Sequence, residues 1–399
     1  MNFDPAKVTA VHHSRVSVIR SLIENYDGTV PFHLYLKSCF IKNKNYGSRD
    51  RKLYTAWCFA FFRLGNALNE LDFNARLIVA WYLVHGSGDP LFETLNNGLF
   101  PIEESNSLQE RINQVKEKFP DTNIESIFPF TKELSGNIQR SDYALTMLSQ
   151  PAVWIRTLFA KTSEVLSDLE SNNISFKSDS EIPTAFQLPP GSKLDELSTR
   201  KKGFFEIQDR SSQVAGAVIP AAAKEHWWDC CCGAGGKTLE VLDKVPGIKI
   251  TATDSRSSVL KNFRERTVNY HAQLATTVLD LEQPVSPGFF GNKFDGIIAD
   301  VPCSGSGTWS RSPENLKYFN QDTLVNFVNR QKAIVTSALQ FLKPGGSFVY
   351  ITCSVFKAEN EEVAEWITSL PGMKMNRSEF INGSDKNADS MFYATFHTS

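Results

Sequence analysis

No two of the seven cysteines are spaced as a CxxC pair. They stand at positions 39, 58, 230, 231, 232, 303 and 353, an odd and irregular set that excludes a disulfide framework and offers no structural zinc motif. Charge of one sign is also lacking. Lys and Arg number 42 against 44 Asp and Glu, a net charge of −2, so any surface for a polyanion must be local. The longest apolar run, residues 77–84, is far short of the roughly 20 residues a membrane helix needs. Residues 1–16 carry no apolar signal core. These absences lead to the expectation of a cytoplasmic protein in a reducing compartment, off the membrane and without a metal, and a monomer is expected.

What is present is a chain of 399 residues, 41% hydrophobic and 22% charged, enough for two or three domains with real cores. Residues 1–145 read as an all-α domain. Val8, Val11, Val16, Ile19 and Leu22 recur at helical spacing, as do the apolar positions of "LYTAWCFAFFRLGNAL" and "ARLIVAWYLVHG". Residues 146–202 read as a small α+β linking domain. Its strand is "PAVWIRTL", and its helix spans residues 161–173 with Thr162 as N-cap.

From residue 203 to 399 strands and helices alternate, the pattern of a mostly parallel, Rossmann-like α/β sheet covered on both faces. "HWWDCCCGAGGKTLEVLDKV" reads as strand, glycine turn and helix; "IKITATDSRSSVLKNFRERTVNY" repeats the strand, turn and helix order. "ATTVLDL", "FDGIIAD" and "SFVYITCS" read as further strands. The helix of residues 322–342 is expected to present Leu324, Val328, Val335, Ala338 and Leu342 on one face and to stop at "KPGG".

Ligands of such sheets sit at the carboxyl ends of the strands. There the sequence places Asp229, Asp254, Asp280 and Asp300, each closing an apolar run. The turn "DCCCGAGGKT" is neither the GxGxxG nor the GxxxxGK[ST] pattern, so it offers no strong phosphate cradle. Gly233, Gly235 and Gly236 suit positive φ and close approach of a ligand, and Asp254 suits a ribose diol. An adenosine-bearing cofactor without phosphate fits these features, which points to S-adenosyl-L-methionine.

Two cysteines stand at strand exits. Cys303 follows Asp300 and Pro302, and Cys353 follows "FVYIT". A thiolate at that end of a sheet has reason for a lowered pKa. The reaction that uses such parts is methylation of a pyrimidine at C5: a thiolate adds to C6, an acid serves N3, and a base removes the C5 proton.

With those residues in view, the chain resembles the RNA cytosine-C5 methyltransferase family, in its bacterial RsmB (Fmu/Sun) branch. The resemblance rests on "GFFEIQDRSSQ", "DCCCGAGGKT", Asp254, Asp280, "DVPCSGSGTWSRSPE" and "LKPGGSFVYITCSVFKAENEEV" in order, about 200 residues in all. Residues 32–65 resemble the NusB-like N-terminal domain of that branch more loosely. The resemblance implies Cys353 as nucleophile, Cys303 as the cysteine that assists release and Asp300 as the acid at cytosine N3. It implies a cofactor pocket from Cys231, Cys232, Gly233, Ala234, Gly235, Gly236, Lys237, Asp254, Asp280 and Asp300, where Ala234 replaces the family's usual proline. It also implies RNA as partner, small-subunit ribosomal RNA first. The same chemistry on transfer RNA, and a non-catalytic ribosome-assembly factor, are the alternatives.

Residues 1–70 hold ten Lys and Arg against five Asp and Glu, an excess of five (10 − 5). Lys42, Lys44, Arg49, Arg51, Lys52 and Arg63 cluster there with Tyr46 and Tyr54 between them, which reads as a phosphate-binding patch. Residues 198–203 and 256–266 could extend it.

Overall fold

The computed structural model describes residues 10–102, 107–130, 134–136, 138–268 and 274–399. Val8 and Tyr270, and the side chain of Val11, lie outside that description. The described residues fall into two compact units. One draws on Met1–Lys132, Gln139–Gln150 and Trp309–Phe319, the other on Glu133–Ile138, Pro151–Thr308 and Asn320–Ser399.

The first unit is helical. Its main helices are Ala10–Glu24, Phe32–Lys42, Ser48–Arg63, Phe73–His85 and Leu108–Lys118. Local chemistry sets their starts. Asp72 accepts from the backbone N–H groups of Asn74 and Ala75, and Ser107 forms a reciprocal capping box with Glu110. Residues 77–83 are buried all round, so the longest apolar run is a core helix, with Trp81 stacked on Trp57 at 4.2 Å. Among the described residues no helix is long and apolar enough to cross a membrane.

Two members of the expected basic patch depart from it. Arg63 is 5% exposed and donates to the carbonyls of Met147 and Ser149 at 2.7 and 2.8 Å. Tyr54 is buried against Tyr46, so it presents no stacking face. Lys42, Lys44, Arg49 and Lys52 are exposed. The segment Trp309–Phe319 belongs to this unit. Trp309 is fully buried beside Phe128 and Phe319, and Glu314 accepts from the N–H of Phe32, the first residue of its helix.

The second unit contains two sheets. In the smaller, β1 (Val153–Thr157), β2 (Lys177–Ser178), β3 (Ala185–Leu188) and β4 (Phe205–Ile207) lie in the order β2-β3-β1-β4, all antiparallel. The helix Thr162–Ser171 packs Val165 and Leu169 into its core. Thr162 is the first helical residue rather than the N-cap, and its hydroxyl bonds backward to Thr157 and to the carbonyl of Leu158.

The larger sheet has seven strands: β5 (His226–Asp229), β6 (Lys249–Asp254), β7 (Leu274–Val278), β8 (Phe294–Asp300), β9 (Leu342–Thr352), β10 (Met373–Ile381) and β11 (Met391–Thr398). Their order is β10-β11-β9-β8-β5-β6-β7. The block from β9 to β7 is parallel, and β11 enters antiparallel between β10 and β9. This is a Rossmann-like α/β fold. Alternate residues feed opposite faces: Trp228, Ile297 and Tyr350 join one core, Trp227, Ile298 and Ile351 the other. Gly296 is required where β8 passes Trp227, since a Cβ there would lie 2.3 Å from the indole.

The helix ahead of β9 spans Gln321–Leu339, capped by Asn320. Leu342 pairs with Phe294 and so begins the strand instead of closing the helix face. A register shift between Phe294 and Gly296 absorbs the "KPGG" stretch within β9. β7 stops at Val278, two residues before Asp280.

Candidate active site

The carboxyl ends of the parallel strands surround a cavity of about 590 Å³, within the ~300–1,000 Å³ of small-molecule sites. Of the residues expected from the sequence, Cys231, Cys232, Gly233, Ala234, Gly236, Lys237, Asp254, Asp280, Asp300, Cys303 and Cys353 line it. Gly235 does not. It caps the helix Gly236–Lys244 at φ 88°, and a Cβ there would lie 2.4 Å from the Phe263 ring. Gly233 also has positive φ, while Gly236 is already helical.

At the cofactor end Asp254 gathers donors. It accepts from the N–H of Gly233 at 3.1 Å and from the backbone N–H and guanidinium of Arg256 at 2.9 Å. Burial alone would raise its pKa; the Arg256 hydrogen bonds and charge and the Gly233 N–H outweigh that and hold it below the usual carboxylate value. Asp280 is exposed and accepts from the N–H of Glu282 at 3.0 Å. Asp229 is the odd acid. It is buried beneath the turn, accepts from the Thr238 hydroxyl at 2.6 Å, and burial pushes its pKa up to about 7.

Lys237 reaches from the glycine turn to the reactive end. Its ammonium, 4% exposed, donates to the Ser212 hydroxyl at 2.6 Å and lies 3.3 Å from Asp300. The sequence singled out the lysine but not the pairing, which joins the first turn of one helix to the end of another strand. The donor set fits S-adenosylmethionine. A turn without a phosphate cradle, an anionic Asp254 at the next strand end and apolar Leu279 and Leu281 on the wall suit a nucleoside with an uncharged sugar.

At the reactive end the Sγ atoms of Cys303 and Cys353 lie 3.3 Å apart, both half-buried. The register pairing of Asp300 with Ile351 brings their loops together. Gly307 closes the loop beneath them: its N–H donates to the Cys353 carbonyl at 2.9 Å. A Cβ on Gly307 would stand 1.9 Å from the Ser390 carbonyl oxygen. The lowered pKa expected at this end does not apply to Cys303. Its hydrogen bond to Cys353, then burial, push it up.

A buried network that the sequence did not reveal supports both loops. Glu359, fully buried, accepts from the Ser304 N–H at 2.8 Å, the Ser304 hydroxyl at 2.5 Å, the Gln331 amide at 2.9 Å and the Ser354 hydroxyl. Ser304 follows Cys303 and Ser354 follows Cys353, so one carboxylate ties the two thiol loops together. Burial raises the Glu359 pKa against the lowering effect of the two serines. Gln331 is itself oriented by the Tyr350 hydroxyl at 3.1 Å and donates to the Pro302 carbonyl at 3.1 Å. The available signal was the acid six residues after Cys353. Among the described residues no group of three or more His, Cys, Asp or Glu could hold a metal ion.

Residues 217–396 match the family model described as 16S rRNA methyltransferase RsmB/F. Similar curated proteins are named ribosomal RNA small subunit methyltransferase B. The one from Xylella fastidiosa (strain 9a5c) is 29% identical over 184 residues, covering 46% of this chain and 44% of the relative. The one from Proteus mirabilis (strain HI4320) is 27% identical over 279 residues, covering 68% and 63%. The chain thus spans about half the length of these curated relatives, between 44% and 63%. Among solved structures, that of PH0851 has a TM-score of 0.72 at 19% identity, covering 98% of this chain and 99% of its own. A methyltransferase homologue from Pyrococcus horikoshii has a TM-score of 0.55 at 20% identity, covering 67% and 92%. At those identities the likeness is one of fold.

Proposed function

We propose, from the match of residues 217–396 to the RsmB/F family model, that the chain is an S-adenosylmethionine-dependent RNA cytosine-C5 methyltransferase acting on small-subunit ribosomal RNA. The observation that carries this reading is the pair of thiols 3.3 Å apart in one cavity with Asp300. Cys231 to Ala234, Gly236, Lys237, Asp254 and Asp280 would hold the cofactor, which supplies an electrophilic methyl group when bound. Cys353 adds its sulfur to cytosine C6, forming an Sγ–C6 bond and making C5 nucleophilic. Asp300, kept near the Lys237 ammonium, serves N3 as charge builds on the ring. After C5 is alkylated, a base takes the C5 proton with Cys303 assisting, the Sγ–C6 bond breaks and Cys353 leaves as thiolate. The target base must leave its stack to reach the sulfur, so a loop or flipped nucleotide is the substrate site. The exposed Lys42, Lys44, Arg49 and Lys52 of the NusB-like unit serve as phosphate contacts.

The test is Cys353→Ala beside Cys303→Ala with unmodified RNA from a strain lacking the enzyme. Cys303→Ala should transfer methyl and stall as an RNA-linked band on a denaturing gel, while Cys353→Ala should give neither band nor 5-methylcytosine by mass spectrometry. The reverse gel pattern exchanges the two roles. Methylation of transfer RNA in place of ribosomal RNA refutes the substrate.

A further inference from the structure

We propose that Cys303 and Cys353 are also a reversible oxidation site, at which a hydroperoxide joins the two sulfurs as a disulfide. Their Sγ atoms lie 3.3 Å apart, and a disulfide needs about 2.05 Å. Side-chain rotation has only about 1.3 Å to close. The contact is built rather than casual. Both residues leave paired positions of β8 and β9, one three residues after Asp300, the other two after Ile351. Glu359 ties the residue after each cysteine to the same carboxylate, and Gly307 hydrogen-bonds the Cys353 carbonyl. Both thiols line the cavity, which admits a peroxide.

The chemistry balances with the peroxide as oxidant. The Cys353 thiolate attacks one oxygen of hydrogen peroxide, the O–O bond breaks, and a sulfenic acid and hydroxide form; the hydroxide takes up the proton that the Cys353 thiol released and becomes water. The Cys303 sulfur then attacks the sulfenic sulfur. An S–S bond forms, hydroxide leaves and takes the Cys303 proton as a second water. Two thiols have lost two protons and two electrons, and the hydrogen peroxide has been reduced to two waters. A resolving thiol already in contact diverts the sulfenic acid before it reaches the irreversible sulfinic state. The disulfide follows from the geometry alone. Its effect on methyl transfer rests on the proposed reaction, because it would occupy attacker and releaser together.

The experiment treats the full chain with hydrogen peroxide, alkylates the remaining thiols under denaturing conditions and digests with trypsin. Cys303 falls in residues 294–311, Cys353 in residues 333–357 (Pro344 blocks cleavage after Lys343), and the three-cysteine turn in residues 225–237. The expected product is a cross-link between the first two peptides, lighter by two hydrogens than their sum and lost on treatment with dithiothreitol. Methyl transfer should fall in proportion to the cross-linked fraction and return with reduction. In Cys303→Ser, Cys353 should instead be trapped by dimedone as sulfenic acid. Sulfinic acid on Cys353 with Cys303 still open to alkylation overturns the proposal, as does a cross-link to residues 225–237. A disulfide that leaves methylation intact keeps the oxidation site and refutes the proposed reaction.

Discussion

Glu359→Ala should be among the most damaging substitutions in the chain, although Glu359 reaches no solvent. Its carboxylate receives four donors: the Ser304 N–H, the Ser304 hydroxyl, the Ser354 hydroxyl and the Gln331 amide. The hydroxyls can turn, since Ser304 and Ser306 each lie within hydrogen-bond reach of Ser354, at 3.2 Å. The backbone N–H of Ser304 cannot turn. Nor can the Gln331 amide, whose oxygen is held by Tyr350. Two buried donors deprived of an acceptor, at about 1–3 kcal/mol each, give a loss of about 2–6 kcal/mol. That places the variant in the tail of measured effects. Glu359→Gln keeps the volume and one oxygen, and its amide can donate to the serine hydroxyls, so its loss should be about 1 kcal/mol. Urea denaturation of the three proteins measures the ladder. Methylation and adduct formation, assayed well below the transition of the weakest variant, should fall for Glu359→Ala as the thiol loops separate, and be largely retained by Glu359→Gln. An Ala variant within about 0.5 kcal/mol of wild type, with full activity, would mean that the carboxylate does not hold the loops.

On the proposed contact of Asp254 with the ribose, Asp254→Ala should weaken S-adenosylmethionine binding by about 1–3 kcal/mol, roughly 5- to 150-fold in Kd, through loss of a buried acceptor. Calorimetry showing unchanged affinity in a folded variant removes Asp254 from the pocket. The Asp229 carboxyl, raised from 3.8 to about 7, binds a proton more tightly in the folded state than unfolded. Its contribution is therefore fully present below pH 3.8 and is lost as pH rises to about 7, a loss on the order of 4 kcal/mol. Asp229→Asn, which keeps an acceptor for Thr238, should gain stability relative to wild type across that window. Melting curves whose difference is flat with pH would count against a buried proton there. Replacing Lys42, Lys44, Arg49 and Lys52 together should lower RNA affinity and reduce the log–log salt slope by about 0.7 for each lost phosphate contact. An unchanged slope would make the patch a solvated face.

The order of elements and the position of the chemistry belong to the sequence alone. Strand–helix alternation is a local pattern of apolar residues, and each strand that ends on Asp229, Asp254 or Asp300 does so whatever its neighbours are. The two cysteine motifs are legible for the same reason, since strand exits in a parallel sheet share one edge. What tertiary structure decided is everything that depends on pairing between distant segments. Leu342 is apolar and at helical spacing, yet its partner Phe294 draws it into β9. Arg63 reads as a surface charge, yet two carbonyls more than 80 residues away bury it. Trp309–Phe319 continues the Cys303 motif, yet it packs with the helical unit, because its aromatic rings find their partners there. The 3.3 Å sulfur contact and the Glu359 carboxylate beneath it come from the register of β8 against β9. Register is an agreement between two strands, and neither strand's own sequence can state it.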